Sequence, residues 1–126
     1  MNGREIDEAL EFQQQLRAIF ESSSGGSKDR FTLSRVRALC AEILDGVHDL
    51  HCRDNVAQLE TYADALFSDR KYQQWARRSA SGVLVLRHRA YAALDSLERR
   101  LHYLLAARRS NILTNASADW SEAAGK

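Results

Sequence analysis

The sequence predicts an all-α protein, a small bundle of four to five helices whose last helix is long and basic. Three observations lead to this fold class. The 126 residues contain no proline, helix-favouring alanine, leucine, arginine, glutamate and glutamine dominate, and the apolar residues recur at intervals of three and four. A chain of this length with 44% apolar residues has room for one modest core. We therefore expect a single helical domain over residues 1–109.

The first helix is predicted over residues 3–21. Asn2 and Glu5 have the spacing of a capping box, in which each side chain bonds to the backbone of the other residue. The small and polar residues 22–28, SSSGGSK, end the helix and predict a flexible connector. The apolar side of this helix consists of Ile6, Ala9, Leu10, Phe12, Leu16, Ile19 and Phe20.

The second helix is predicted over residues 33–51, with Thr32 or Ser34 as its cap. Its apolar residues follow the three-and-four rhythm of a single buried stripe, so one side should face a core. We expect the helix to stop near residues 51–53. The stripe consists of Leu33, Val36, Leu39, Cys40, Ile43, Val47 and Leu50.

The third helix is predicted over residues 55–67, and Asp54 or Asn55 is a suitable cap for it. Its spacing again predicts one buried side, so it should pack on the same core as the helices before it. That side consists of Val56, Leu59, Tyr62, Ala63, Leu66 and Phe67.

A nearly continuous helical signal runs over residues 70–109, and the polar, weakly patterned residues 110–126 predict a tail. The SASG stretch at 79–82 is a point where the helix bends or breaks, because glycine costs about 1 kcal/mol in a helix relative to alanine. The spacing of the apolar residues repeats every eleven residues, which is three turns of a nearly straight helix. This seam consists of Val83, Leu86, Ala90, Leu94, Leu97, Leu101 and Leu105.

Charge divides the chain although the net charge is only +1. Residues 1–69 carry 13 acidic and 7 basic groups, whereas residues 70–109 carry 2 acidic and 10 basic groups. Basic doublets also recur every eleven residues, so they should project from the side of the helix opposite the seam. The doublets are Arg77-Arg78, His88-Arg89 and Arg99-Arg100.

This basic face predicts a non-enzymatic interaction or regulatory protein, such as an adaptor or a chaperone-like factor. A solvated helix face needs no partner, but the near absence of acids favours a negatively charged one. We expect the partner to be an acidic protein surface or a second copy of the chain. The apolar seam of the long helix can extend beyond its own bundle, which favours a homodimer. The predicted contact residues are Arg77, Arg78, Arg89, Arg99 and Arg100.

A nucleic-acid-binding regulator is the first alternative, in which the arginines contact phosphates and binding falls steeply with salt. The sequence offers no short recognition helix with base-reading side chains, so this alternative depends on charge alone. The second alternative is a ligand- or metal-binding bundle. Its only metal candidate is His48, His51 and Cys52 in HDLHC, which a helical wheel spreads over the surface of a helix end.

The sequence predicts neither catalysis nor a cofactor. It contains no Gly-rich phosphate loop, no H-E-x-x-H and no G-x-S-x-G. Cys40 and Cys52 form neither a disulfide framework nor a paired zinc pattern, so we interpret them as free thiols in a reducing compartment. No run of about 18 apolar residues suggests a membrane span. A cytoplasmic protein without membrane contact is therefore expected.

Overall fold

The structure, a computed structural model, describes the backbone of residues 2–22, 30–67 and 82–125 and the side chains of residues 2–22, 31–67 and 82–109. The described chain is all-helical, with four helices and no strand. The helices are α1 (Gly3–Ser22), α2 (Arg30–Gly46), α3 (Leu50–Phe67) and α4 (Gly82–Gly125). The predicted fold class, a small all-α bundle with a long last helix, is confirmed.

Helix α1 begins at the predicted capping box. The backbone N–H of Glu5 donates to Oδ1 of Asn2 over 2.9 Å, and the backbone N–H of Asn2 donates to Oε2 of Glu5 over 3.3 Å. Each side chain thus satisfies a backbone group that the first turn of a helix leaves without a partner. The helix ends at Ser22, one residue after the predicted end.

The boundary between the second and third helices differs from the prediction. The predicted helices 33–51 and 55–67 are observed as α2, which ends at Gly46, and α3, which begins at Leu50. The reason is Asp49, whose Oδ2 accepts the backbone N–H of Cys52 over 3.1 Å. An N-cap residue adopts a non-helical backbone conformation, so one continuous helix through Asp49 is excluded. The cap is therefore Asp49 and not Asp54 or Asn55.

Helix α4 is the longest element, with 44 residues and a length of about 66 Å at 1.5 Å per residue. The predicted start at residue 70 and most of the predicted break at 79–82 lie outside the described residues. The backbone stays helical to Gly125, although the sequence predicts a polar tail from residue 110. This stretch has no proline and several alanines, so nothing in its backbone chemistry ends the helix at Arg109.

The four helices form an antiparallel ring. Among the described residues, α1 contacts α2 and α4, and α3 contacts the same two helices. The start of α1 lies against the far part of α4, where a side chain added at Gly3 would meet Arg108 and Leu105. The end of α1 lies near the start of α4, where the hydroxyl of Tyr91 donates to the carbonyl of Phe20. The rings of Phe20 and Phe67 pack across the interior with centroids 5.4 Å apart. No described helix is long and apolar enough to cross a membrane.

The core lies between these helices and contains most of the apolar positions that the sequence predicts. Leu50 is an exception, because it begins α3 instead of extending the stripe of α2 and is 73% exposed. Its largest fully buried apolar side chains are Ile6, Leu16, Phe20, Ile43, Leu59, Leu66, Leu94, Leu97 and Leu101. Two polar side chains in the described part of the chain, Gln13 and Asn55, are also buried. Gln13 of α1 is fully buried and its Nε2 donates to the carbonyl oxygen of Leu94 in α4 over 3.2 Å. This hydrogen bond joins the side chain of α1 to the backbone of α4 inside the core and so favours one position of α1 along α4.

Candidate interaction surface on helix α4

Helix α4 has a buried side and an exposed side, as its sequence predicts. Leu86, Ala90, Leu94, Leu97 and Leu101 are buried, while Val83 and Leu105 pack partly buried against the core. The opposite side carries basic residues that are all exposed. We call this set the outward stripe; it consists of His88, Arg89, Arg99, His102 and Arg109.

The two acids of α4 that lie within residues 70–109 share one arginine of α1. Arg17 contacts Oδ1 of Asp95, and its Nη2 lies 3.4 Å from Oε2 of Glu98. No acidic side chain in the described part of the chain lies within ion-pair distance of Arg89 or Arg99. Arg89 and Arg99 therefore have no acidic partner among the described side chains, whereas Nε2 of His102 in the same stripe lies 3.9 Å from Oε1 of Glu98.

The structure assigns different places to the five predicted contact residues. Arg77 and Arg78 lie outside the described residues. Arg89 and Arg99 are exposed, as a partner contact requires. Arg100 is half-buried and bonded within the chain, so the prediction that it contacts a partner is not supported by its position.

Arg100 joins α4 to the link between α2 and α3. Its Nε donates to Oδ2 of Asp49 over 3.0 Å, and its Nη2 donates to Oδ1 over 2.8 Å. This two-point contact matches the planar guanidinium to the planar carboxylate. Arg100 also lies over the ring of Tyr103, 4.8 Å from the centroid, which adds a cation–π contact.

Asp49 is held in its charged form by these contacts. The pKa of Asp49 is lowered from 3.8 to about 2, chiefly by the hydrogen bonds from Arg100 and in part by the backbone N–H of Cys52, against the opposing effect of burial. The Asp49 side chain is only 11% exposed. One carboxylate therefore caps α3 and binds α4 at the same time.

The candidate metal residues are not brought together. Cys52 is buried in the first turn of α3, whereas His48 in the link and His51 in α3 are exposed. Within the described ranges, no group of three or more histidine, cysteine, aspartate or glutamate side chains is arranged to hold a metal ion. The expected helix C-terminus at these histidines is also wrong, because His51 lies at the start of α3.

Both cysteines are free and fully buried. Burial raises the pKa of the Cys40 thiol to about 12, with a further contribution from the charge of Glu60. Burial also raises the pKa of the Cys52 thiol to about 12, and the negative charge of Asp49 adds to this effect. Neither side chain offers a thiolate for chemistry near neutral pH.

A pocket of about 380 Å³ lies over the α2–α3 link. Its lining combines apolar side chains with two basic groups and the carboxylate that Arg100 binds. Because Asp49 belongs to the lining, the pocket is connected to α4 through the Asp49–Arg100 pair. The lining residues are Leu44, Val47, His48, Asp49, Leu50 and Arg53.

Reasoning from the sequence missed the roles of Asp49 and Arg17. The signal for Asp49 was present, since a glycine at 46 followed by an aspartate at 49 is typical of one helix ending and another beginning. No local signal existed for Arg17, whose acidic partners lie 78 and 81 residues away in the chain. Comparisons of this chain with protein-family models, with curated proteins and with solved structures find no match.

Proposed function

We propose that the chain is a non-enzymatic interaction or regulatory protein that binds an acidic protein surface through the outward stripe of α4. The observation that carries this proposal is the exposure of Arg89 and Arg99 without an acidic partner among the described side chains. The chain has 17 acidic residues, which is enough to provide a partner for both arginines. Instead, Asp95 and Glu98 are held by Arg17, so the stripe stays positive.

Electrostatic attraction of this kind guides the approach of a partner more than it adds to final affinity. The exposed arginines suit the role, because a guanidinium binds a carboxylate at two points and is weakly hydrated. The stripe is displayed on a rigid helix that is anchored along its opposite side by the core. We therefore expect fast, salt-sensitive association with an acidic partner.

The test is capture of proteins from a lysate of the source cells by three forms of the chain. The wild type is compared with an Arg89→Gln, Arg99→Gln variant and with an Arg4→Gln, Arg35→Gln control. The control removes the same charge from exposed positions on α1 and α2. Acidic proteins should be retained by the wild type and by the control and lost from the stripe variant. Equal capture by all three forms would refute the proposal.

The nucleic-acid alternative is tested on the same variants by retention of duplex DNA and of RNA at low salt. We expect no retention by the wild type, because a chain with a net charge of only +1 has little general attraction for a polyanion. If the wild type retains either nucleic acid and the Arg89→Gln, Arg99→Gln variant does not, the partner is nucleic acid.

Two further expectations belong to this proposal. A homodimer is expected, and a monomeric mass in light scattering at high protein concentration would reject it. A cytoplasmic location is expected because Cys40 and Cys52 are free thiols, which suit a reducing compartment.

A further inference from the structure

The pocket over the α2–α3 link has an apolar floor and a solvated apolar rim. Val47 is buried and Leu44 is partly buried, so they form the floor, whereas Leu50 is 73% exposed. A leucine so exposed beside other apolar side chains gains from contact with an apolar partner, because burial removes its surface from water.

The charged groups of the pocket favour an anion. Both oxygens of Asp49 are occupied by Arg100 and by the backbone N–H of Cys52, so this carboxylate is compensated. Arg53 is exposed and has no acidic partner among the described residues. His48 adds a second basic group to the lining. The pocket therefore combines an apolar surface with an uncompensated positive charge.

The shape of the pocket favours a side chain of a larger partner over a small free ligand. His48, Leu50 and Arg53 are exposed, so the pocket is an open depression. Small ligands usually lose most of their surface to an enclosing pocket. Protein partners instead insert single apolar anchors into depressions of this kind. A volume of about 380 Å³ accommodates a leucine or an aromatic side chain.

We propose that this pocket receives a large apolar side chain of the acidic partner, with a neighbouring carboxylate of that partner bound to Arg53. The inference rests on the proposed function and specifies the partner as an acidic segment that carries an apolar anchor. The pocket lies next to α4, since its lining residue Asp49 is bound by Arg100, the residue after Arg99 of the stripe. Together they provide charge contacts and one apolar anchor site.

The experiment measures binding of two labelled synthetic peptides to the full chain. Both are short and rich in glutamate, and they differ only in a central residue, phenylalanine in one and alanine in the other. We expect the phenylalanine peptide to bind the wild type about tenfold more tightly, a difference that burial of part of an aromatic side chain can supply.

Variants of the pocket residues test whether the pocket causes the difference in affinity between the two peptides. Leu50→Ser should reduce the affinity for the phenylalanine peptide to that for the alanine peptide, and Arg53→Gln should weaken the binding of both peptides severalfold. The matched control is Leu84→Ser, which alters another exposed leucine, 59% exposed on α4. Leu84→Ser should leave both affinities unchanged. Because positions 50 and 84 are exposed, the fold should tolerate each change, and circular dichroism verifies this.

The outcomes separate this proposal from the proposed function. If both peptides bind the wild type equally and the Arg89→Gln, Arg99→Gln variant binds neither, the stripe binds acidic partners and the pocket proposal is wrong. If neither peptide binds the wild type, both proposals fail. If octanoate, a small apolar carboxylate, shifts the methyl NMR signals of Leu44, Val47 and Leu50 as strongly as the phenylalanine peptide does, the pocket takes free apolar anions and the peptide assignment is wrong.

Discussion

Two clusters of ion pairs join α4 to the acidic part of the chain, and they differ in burial. In one, Arg100 binds Asp49 at two points, and the aspartate side chain is 11% exposed. In the other, Arg17 binds Asp95 and Glu98, whose side chains are 57% and 38% exposed. Exposed pairs contribute about 0 to 1 kcal/mol, whereas hydrogen bonds to charged groups shielded from water contribute about 1.5 to 3 kcal/mol.

The difference shows that similar contacts serve different purposes. The Asp49–Arg100 pair decides where α3 begins and holds that point against α4. The Arg17 cluster adds little stability, but it brings a positive charge against the two acids of the basic region. One cluster therefore shapes the fold, while the other determines the sign of the surface that we propose as the partner site.

Replacement of Asp49 should give the largest effect. Asp49→Ala removes both the helix cap and the ion pair, so we expect the free energy of unfolding to fall by about 3 kcal/mol. Asp49→Asn keeps the cap, because asparagine caps helices as well as aspartate does, and should cost about 2 kcal/mol. Urea unfolding followed by circular dichroism measures both values. Equal losses for the two variants would show that the cap contributes nothing.

Lowering the pH should remove the contribution of the Asp49–Arg100 pair to the free energy of unfolding. The pKa of Asp49 is lowered from 3.8 to about 2 in the folded state, so its stabilisation is present above the unfolded value and is lost as pH falls from 3.8 towards 2. The difference in unfolding free energy between the wild type and Asp49→Asn should therefore be constant at higher pH and shrink over this interval. The subtraction cancels the titration of the other carboxylates. A difference that already shrinks well above pH 3.8 would contradict the lowered pKa.

The two buried cysteines report where the structure opens. Cys52 lies in the first turn of α3, next to Asp49, whereas Cys40 lies in the middle of α2. In Asp49→Ala, the ratio of the alkylation rate of Cys52 to that of Cys40 should rise severalfold, because the start of α3 opens more often than the whole bundle does. Alkylation followed by peptide mass spectrometry measures both rates. An unchanged ratio would mean that the two sites open only together.

Replacement of Arg17 should give the smallest effect. Arg17→Gln should lower the free energy of unfolding by about 0.5 kcal/mol, and high salt should remove this difference because it screens exposed charges. The control is Arg4→Gln, which breaks an exposed pair within α1. A salt-independent loss as large as that for Asp49→Asn would mean that the two clusters are energetically equivalent, contrary to their difference in burial.

Sequence patterns predict contacts within one helix, but they do not predict ion pairs between distant parts of the chain. The capping box of Asn2 and Glu5 and the seam from Val83 to Leu105 were predicted because they repeat within one or a few turns of one helix. The α2–α3 boundary was placed too late because HDLHC was interpreted as the end of a helix, although Asp49 caps the next one. Arg100 was predicted as a partner contact from the eleven-residue recurrence of basic doublets, and its bond to Asp49 left no local signal because it spans 51 residues of chain.

The sequence by itself determined that the protein is helical, which sides of its helices are apolar and that its positive charge is concentrated after residue 70. These properties follow from spacing and composition, which act over a few neighbouring residues. Only the tertiary structure decided which arginines remain exposed. Arg100 forms an ion pair with Asp49, and Arg17 forms ion pairs with the two acids of the basic region. Arg89 and Arg99 have no acidic partner among the described side chains. The physical reason is that an ion pair depends on distance in space, which helix packing sets and local sequence does not.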